Sequence, residues 1–177
     1  LAANTPGLRI GRTNVWIDSS ESTVIVVPYA PPSIHSPTPS EGFLSSVRSH
    51  LGERTLITDR VTVSGPRYVR LEITVVGKIR KKYAKSGYRT AIADAIESYL
   101  HPLFGYDGSG WPFGRTLSVA ELEDEIDTID AVDYVSDIQI TAHGGRSFDD
   151  RVTIDETALF SVENITVDMT TNSETGG

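Results

Sequence analysis

The most regular pattern of apolar and polar positions lies in residues 68–76. Apolar side chains there alternate with Arg70, Glu72 and Thr74, which predicts a β-strand with one buried face. The apolar positions are Val69, Leu71, Ile73 and Val75. A second run, residues 23–28, is almost entirely β-branched and is typical of a strand buried on both faces.

Shorter patterns of the same kind fill the beginning of the chain. An extended run at residues 8–17 and a polar turn at 18–22 predict, together with the β-branched run, a β-hairpin within residues 1–31. Residues 55–64 predict a further strand, which Gly65-Pro66 breaks.

A proline-rich segment separates the hairpin from the first predicted helix. Residues 28–39 contain five prolines, which rule out regular structure and predict a semi-rigid extended connection. A proline-rich peptide ligand is the functional alternative for this segment.

Helical spacing of apolar residues predicts three helices. The first spans residues 40–52 with Ser40 as its N-cap, and the second spans residues 88–101. The third spans residues 118–129 and opens with a capping box that begins at Ser118.

Strand patterns return after the third helix. They lie at residues 132–142, 151–154 and 159–169. In the first of them, the uneven spacing of Val135, Ile138 and Ile140 predicts a β-bulge. The last suits a sheet edge, where an unpaired strand can recruit a neighbouring chain.

The order of these elements predicts an α/β (α+β) fold of two small layered units, with mostly antiparallel strands and helices packed on one face. We expect the first unit to span residues 1–65. We expect the second to span residues 66–170 and to be followed by a flexible tail at residues 171–177.

One stretch between the second and third helices is unlike a flexible linker. Residues 100–115 contain a tryptophan, three other aromatic residues, four glycines and two prolines. We expect a fixed turn of irregular backbone, because Gly permits unusual backbone angles, Pro restricts them and large rings anchor the turn. The candidate anchoring or interaction residues are Trp111, Phe113 and Arg115.

Two interpretations of the rings of Trp111 and Phe113 are open. They could fill the core between the two flanking helices, or they could form a surface knob that docks on a partner, since aromatic residues dominate interfaces. The glycine content of the loop favours the core interpretation, because so flexible a backbone needs an internal anchor.

Composition and charge narrow the class of protein. The chain has 177 residues, a net charge of −8 and no cysteine. The acidity argues against broad nucleic-acid binding, and the lack of cysteine excludes disulfides and thiolate metal sites.

We find no signal peptide and no apolar run of transmembrane length, so we expect no membrane partner. Because the chain begins at Leu1 and not at a methionine, we expect it to be a fragment or a processed product.

A basic segment, residues 78–89, contrasts with this overall acidity. Its cations are Lys78, Arg80, Lys81, Lys82, Lys85 and Arg89. The segment could be a solvated strand end and helix entry, a nucleic-acid-binding module in which tyrosines stack on bases, or a docking site for an acidic protein surface. The acidic remainder of the chain disfavours nucleic acid. Lys81 and Lys82 are the interaction candidates.

No catalytic or metal-binding set is legible in the sequence. We see no nucleophile with a base, no carboxylate pair that a cleft would hold and no metal-ligand set, so we predict a non-enzymatic protein with no catalytic residue, cofactor or metal site. The carboxylates of residues 121–127 suit a solvated helix face rather than a cation site. His143-Gly144-Gly145-Arg146 suits a turn rather than a phosphate-binding loop, because no Lys-Ser/Thr pair follows it.

Several segments together resemble the baseplate J-like family of baseplate assembly proteins. The most specific is Asp107-Gly108-Ser109-Gly110-Trp111-Pro112-Phe113-Gly114-Arg115, with Leu100-His101-Pro102-Leu103 before it. Supporting segments are Asn4-Thr5-Pro6-Gly7, residues 24–28, Pro39-Ser40, Phe43-Leu44 and residues 132–135. Two features depart from the family pattern. Phe104-Gly105-Tyr106 stands where a Thr/Gly-Gly stretch is expected, and the basic segment is unusual.

The resemblance implies a structural wedge component of the baseplate of a contractile phage tail or contractile injection system. It implies self-association around a six-fold ring and contacts with other wedge subunits, sheath-initiator proteins and spike or hub proteins. It also implies that the chain is the C-terminal portion of a longer protein, assembled in the cytoplasm into the particle. The alternative function is a nucleic-acid-binding module that uses the basic segment.

Overall fold

The structure is a computed structural model that describes residues 2–18, 21–53, 60–84 and 87–171. Within these residues lie three α-helices, two short 3₁₀ helices and nine strands. The helices are α1 (Glu41–Gly52), α2 (Tyr88–Tyr99) and α3 (Val119–Asp127). The strands are β1 (Ile10–Asp18), β2 (Glu21–Pro28), β3 (Arg60–Ser64), β4 (Arg67–Ile79), β5 (Leu117–Ser118), β6 (Val132–His143), β7 (Arg146–Phe148), β8 (Arg151–Thr153) and β9 (Ala158–Thr171).

The predicted hairpin is confirmed. β1 and β2 pair antiparallel from Ile10↔Pro28 to Asp18↔Glu21, and β3 joins β2 in parallel to give the sheet order β1-β2-β3. The four residues from Val24 to Val27 are all buried, as the β-branched run predicts. Of the strand predicted at residues 55–64, the part before Arg60 lies outside the described residues.

A second sheet has the order β6-β4-β9, with β4 at its centre. β4 pairs antiparallel with β6 and parallel with β9. The alternation predicted for β4 is confirmed, because its four apolar positions are at most 1% exposed. Those positions are Val69, Leu71, Ile73 and Val75.

The α+β class is confirmed. Among the described strands, four pairings are antiparallel and two, β2–β3 and β4–β9, are parallel. The bulge predicted in β6 is present: Val76 pairs with Asp137, and the next residue, Gly77, pairs with Val135. The turn predicted at residues 143–146 is present, but β7, which begins at Arg146, has no predicted counterpart. β7 completes a small third sheet of order β5-β8-β7.

The predicted helix starts are confirmed at two positions. The Ser40 hydroxyl accepts a hydrogen bond from the Phe43 amide at 3.3 Å and caps α1. At α3, the Ser118 hydroxyl accepts from the Glu121 amide, and the Glu121 carboxylate accepts from the Ser118 amide at 3.0 Å. These reciprocal bonds satisfy donors that a helix start otherwise leaves unpaired.

The buried apolar residues form two clusters. The larger cluster joins the inward face of β4 to α2 and α3 through Ile92, Ile96, Leu122 and Ile126. The smaller cluster lies between β2, β3 and α1 and includes Val26, Val47 and Val63. Val27 and Ala30 belong to the larger cluster.

The predicted boundary between a first unit that ends at residue 65 and a second that begins at residue 66 stays a prediction. Of the tail predicted at residues 171–177, Thr171 belongs to β9, and residues 172–177 lie outside the described residues. None of the described helices is both long enough and apolar enough to cross a membrane.

Candidate functional site

The aromatic loop, residues 100–115, connects α2 to the start of β5 and α3. Its backbone is irregular, but internal hydrogen bonds hold it. The Tyr106 amide donates to the Tyr99 carbonyl at 2.8 Å, and the Trp111 amide donates to the His101 carbonyl at 3.0 Å. The Gly110 amide donates to the carbonyl of Gly105 at 3.1 Å. These bonds fold the loop back on the end of α2, so it is a fixed turn rather than a linker.

Two glycines in the loop are required by geometry. Gly110 has φ +90°, and a Cβ there would lie 2.2 Å from the Pro102 carbonyl oxygen. Gly114 has φ +66°, and a Cβ there would lie 2.6 Å from Glu156 Cα. Both distances are well inside van der Waals contact, and both φ values lie in a region that side chains disfavour.

Trp111 lies at the centre of an aromatic cluster. Its side chain has no exposed surface, and its ring centroid lies 5.5 Å from Tyr99, 5.7 Å from Phe160 and 6.0 Å from Tyr106. The Tyr99 and Tyr106 rings meet it edge to face, an arrangement that aromatic pairs prefer. The position of Trp111 in the larger cluster supports the core interpretation for this ring.

The other predicted ring, Phe113, is half-buried and packs against the larger cluster of buried apolar residues. The rings that face solvent in this loop are Phe104, 39% exposed, and Tyr106, 41% exposed. Tyr29 of the proline-rich segment meets Phe104 edge to face at 6.3 Å and is also exposed. Both loop rings belong to the Phe104-Gly105-Tyr106 stretch, which differs from the pattern of the family that the sequence resembles.

Arg115 closes the loop against α3. Its guanidinium lies over the rings of Trp111 and Tyr106, 4.7 and 4.5 Å from their centroids. It also donates a hydrogen bond to Glu121, and this bond raises the pKa of Arg115. Burial opposes ionisation of Glu121, but hydrogen bonds from Arg115 and Ser118 outweigh it and lower the pKa of the carboxyl. The pair therefore stays charged and joins the loop to the capping box.

Arg12 of β1 also holds the loop, although no sequence pattern singled it out. Its guanidinium donates to the carbonyl oxygens of Trp111 at 2.6 Å and Pro102 at 3.2 Å, and it lies over the Phe113 ring at 5.0 Å. Burial lowers the pKa of Arg12, while the charge of Asp107 opposes that shift. Arg12 and the loop are about 90 to 100 positions apart in the chain, so sequence spacing carried no sign of this contact.

Two histidine rings meet where the aromatic loop, through His101, contacts the proline-rich segment, through His35. His101 is 3% exposed, and its Nδ1 accepts a hydrogen bond from the Leu103 amide at 3.1 Å. Its ring meets that of His35 at 5.4 Å, and His35 Nε2 lies 3.4 Å from the Glu97 carboxylate. Burial lowers the pKa of His101, and the nearby His35 lowers it further.

The basic segment lies at the end of β4, outside the aromatic cluster. Lys81 and Lys82 belong to the short 3₁₀ helix Lys81–Tyr83, and both are exposed. Lys82 Nζ lies over the ring of Tyr83, 4.7 Å from its centroid. Arg80 donates to the Asp130 carbonyl at 3.1 Å. Lys85 lies outside the described residues.

The structure thus separates the predicted candidates into two places. Trp111 is fully buried, with Phe113 and Arg115 half-buried in the same loop, while Lys81 and Lys82 lie on an exposed surface. The first group can fix the shape of a loop, and the second can meet an oppositely charged surface.

Comparison with solved structures shows what this fold is similar to. Eighteen chains of known structure match it significantly. One belongs to the cryo-EM structure of the anti-feeding prophage baseplate, six-fold symmetrised, with a TM-score of 0.63 and 15% sequence identity. The match covers 88% of this chain and 34% of that chain, so this chain spans about a third of its neighbour's length. The sequence matches no protein-family model and no curated protein.

At 15% identity the likeness shows a shared fold. The resemblance to the baseplate J-like family therefore stays a prediction, as do the wedge role and the partners that it implies.

Proposed function

We propose that this chain is a structural component of the baseplate of a contractile phage tail or contractile injection system, and that it is the C-terminal portion of a longer wedge protein. The observation that carries the proposal is the fold match to a chain of the anti-feeding prophage baseplate over 88% of the present chain. The resemblance of the aromatic loop to the baseplate J-like family also supports it.

The construction of the loop supports a scaffold role. Two cations hold the loop: Arg12 of β1 binds two loop carbonyls, and Arg115 of the loop binds Glu121 and lies over Trp111. Groups that are satisfied in this way stabilise one geometry and are not left to act on a substrate. In an assembly, a fixed loop sets the angle between the elements that it connects.

Three surfaces are available for neighbouring subunits on this proposal. The first is the basic segment, which carries Lys81 and Lys82 toward an acidic partner surface. The second is β9, which is an edge strand among the described strands and can pair with a strand of another chain. The third is the outer side of the aromatic loop, where Phe104 and Tyr106 are exposed.

The partners on this proposal are other wedge subunits, sheath-initiator proteins, and spike or hub proteins, with self-association around a six-fold ring. Such a ring would hold the tube, sheath and spike together until a trigger rearranges it. The particle would form in the cytoplasm of the producing cell.

Labelling the protein in its native source tests the proposal. The chain, within whatever longer protein carries it, would be given an affinity tag, and the captured material would be imaged by negative-stain electron microscopy with a gold label on the tag. We expect contractile particles labelled at the baseplate end. Capture of the tagged protein without any tail-like particle would contradict the proposal.

The nucleic-acid alternative has a separate test. Binding of a fluorescent oligonucleotide would be followed through a salt titration, because phosphate contacts weaken steeply with salt. The baseplate proposal expects no saturable binding at physiological salt. Saturable binding that Lys81→Glu/Lys82→Glu abolishes would favour the alternative.

A further inference from the structure

Three ligand-type side chains meet on the outward face of the sheet β6-β4-β9. Glu72 comes from the central strand β4, His143 from the end of β6 and Glu163 from β9. One ligand atom from each lies within 4.8 Å of the other two. We propose that these residues form a binding site for a divalent transition-metal ion of the zinc type.

The distances suit such an ion. A zinc ion binds imidazole nitrogen and carboxylate oxygen at about 2.0–2.2 Å, so ligand atoms around it lie about 3.4 Å apart in tetrahedral geometry. His143 Nε2 and Glu72 Oε1 lie 2.8 Å apart in a hydrogen bond, which an ion would replace by moving the two atoms about 0.6 Å further apart. The remaining separations, of at most 4.8 Å, need a side-chain rotation of about 1 Å to reach that geometry.

The strand that carries Glu72 is buried on its inner face. Leu71 and Ile73, which flank Glu72, are at most 1% exposed and belong to the larger cluster. β9 has a bulge at this level: Leu71 pairs with Val162, and Glu72 pairs with Asn164, so Glu163 is the extra residue. The bulge adds a second outward side chain beside Glu72, and bulges commonly aim a side chain at a site.

The donor set defines the class of ion. One imidazole with two carboxylates suits Zn²⁺ and similar first-row ions, whereas Mg²⁺ prefers an all-oxygen shell. Three protein ligands leave one position of a tetrahedral ion for water. Because the ligands come from three neighbouring strands, a bound ion would clamp β6 and β9 to β4.

Arg70 competes with the ion for Glu163. Its guanidinium lies 3.4 Å from the Glu163 carboxylate, on the strand that also carries Glu72. An ion that binds Glu163 must displace this contact. The geometry therefore predicts opposite effects for two neighbouring changes: loss of His143 should weaken binding, and loss of the Arg70 charge should strengthen it.

The test is a calorimetric titration of the whole chain with ZnCl₂ after removal of metal by a chelator. We expect one Zn²⁺ per chain with micromolar affinity, and a rise in melting temperature on addition. Losing even an outer partner of a metal ligand typically weakens binding about 10–100-fold, so His143→Ala should weaken it by at least about tenfold. Arg70→Gln should strengthen it by up to about fivefold, the value of an exposed ion pair.

Two controls keep the result specific. His50→Ala removes a histidine of α1, and Asp168→Asn removes an exposed carboxylate of β9; neither should change zinc binding. Circular dichroism would check that each variant folds, which we expect because all the changed side chains lie outside the two clusters.

Three outcomes would overturn the site. These are no saturable zinc binding in the micromolar range, binding that His143→Ala retains, and equal binding of Mg²⁺ and Zn²⁺. The last would identify an ordinary acidic surface. The test needs no partner chain, so its result is independent of the proposed baseplate function.

Discussion

In the aromatic loop, Arg115 lies over Trp111, and its charge is matched by Glu121 within the same chain. In the basic segment, Lys82 lies over Tyr83 in a similar way, but Lys81 and Lys82 are exposed. Both regions combine cations with aromatic rings, and the sequence offers both as interaction candidates. Burial separates them: Arg115 is half-buried against Trp111 and Glu121, whereas Lys81 and Lys82 are exposed.

Each region should therefore fail differently when it is changed. Damage to the loop should lower the stability of the isolated chain. Damage to the basic segment should leave stability intact and affect assembly.

The largest effect is expected from Trp111→Ala. Removing a fully buried large ring should cost about 3–5 kcal/mol of unfolding free energy, because the cavity refills only partly. The chain supplies a matched control in its other tryptophan, Trp16, which is 36% exposed and donates to Glu156 at 3.0 Å. Trp16→Ala should cost about 1 kcal/mol or less. Chemical denaturation of the two variants makes the comparison.

An unchanged melting temperature for Trp111→Ala, with loss of assembly, would reverse the assignment. The docking-knob interpretation of Trp111 would then replace the core interpretation.

Two glycines of the same loop give the next largest effect. Gly110 and Gly108 have nearly equal φ, +90° and +91°, but a Cβ at Gly108 would meet nothing within 4 Å. Alanine at either position is strained by the backbone angle, at a cost of about 1 kcal/mol or more. Gly110→Ala should cost about 1–3 kcal/mol beyond Gly108→Ala, because its Cβ strikes the Pro102 carbonyl. Equal denaturation midpoints would show that the loop backbone can shift and is not fixed.

The elements whose cause lies within a short stretch of sequence could be predicted from the sequence. The capping box at Ser118 depends on a residue three positions away, and the alternation in β4 depends on successive residues. Either pattern is complete within one short window of sequence, so the sequence alone predicts it.

Features that depend on the pairing of distant strands could not be predicted from the sequence. Glu72, His143 and Glu163 meet because β4 lies between β6 and β9, and because β9 has a bulge at Glu163. Arg12 reaches the loop across a similar distance in sequence. No spacing rule states which distant strands pair, so these residues carried no signal until the fold placed them together.

A smaller loss of folding stability is expected on acidification, and its source is His101 of the aromatic loop. The pKa of His101 is lowered by burial and by His35, so the unfolded chain binds the proton more readily than the folded chain. Stability is therefore complete above the ordinary histidine pKa of about 6.5 and falls as the pH drops from there toward the lowered folded pKa. Glu97, beside His35, is the carboxylate that faces the pair.

Denaturation curves at a series of pH values between about 7.5 and 5.5, the range around the histidine pKa, measure this slope. His101→Asn retains an acceptor for the Leu103 amide and removes the titration, so its slope should be shallower than that of the unchanged chain. Identical slopes would exclude His101 as the source.

The smallest effect on folding is expected from charge reversal in the basic segment. Lys81→Glu/Lys82→Glu changes two exposed side chains outside both clusters, so the unfolding free energy should change by no more than about 0.5 kcal/mol. Incorporation into particles should nevertheless fall, because the reversal turns attraction to an acidic neighbour into repulsion. The neutral variant Lys81→Gln/Lys82→Gln should lie between, and added salt should narrow the differences among the three chains, since salt screens exposed charges. Copurification of each tagged chain with particles, measured beside its melting curve, separates the two effects. Normal incorporation of the reversed chain would remove the basic segment from the interface and leave the exposed rings Phe104 and Tyr106 and the β9 edge as the remaining candidate surfaces.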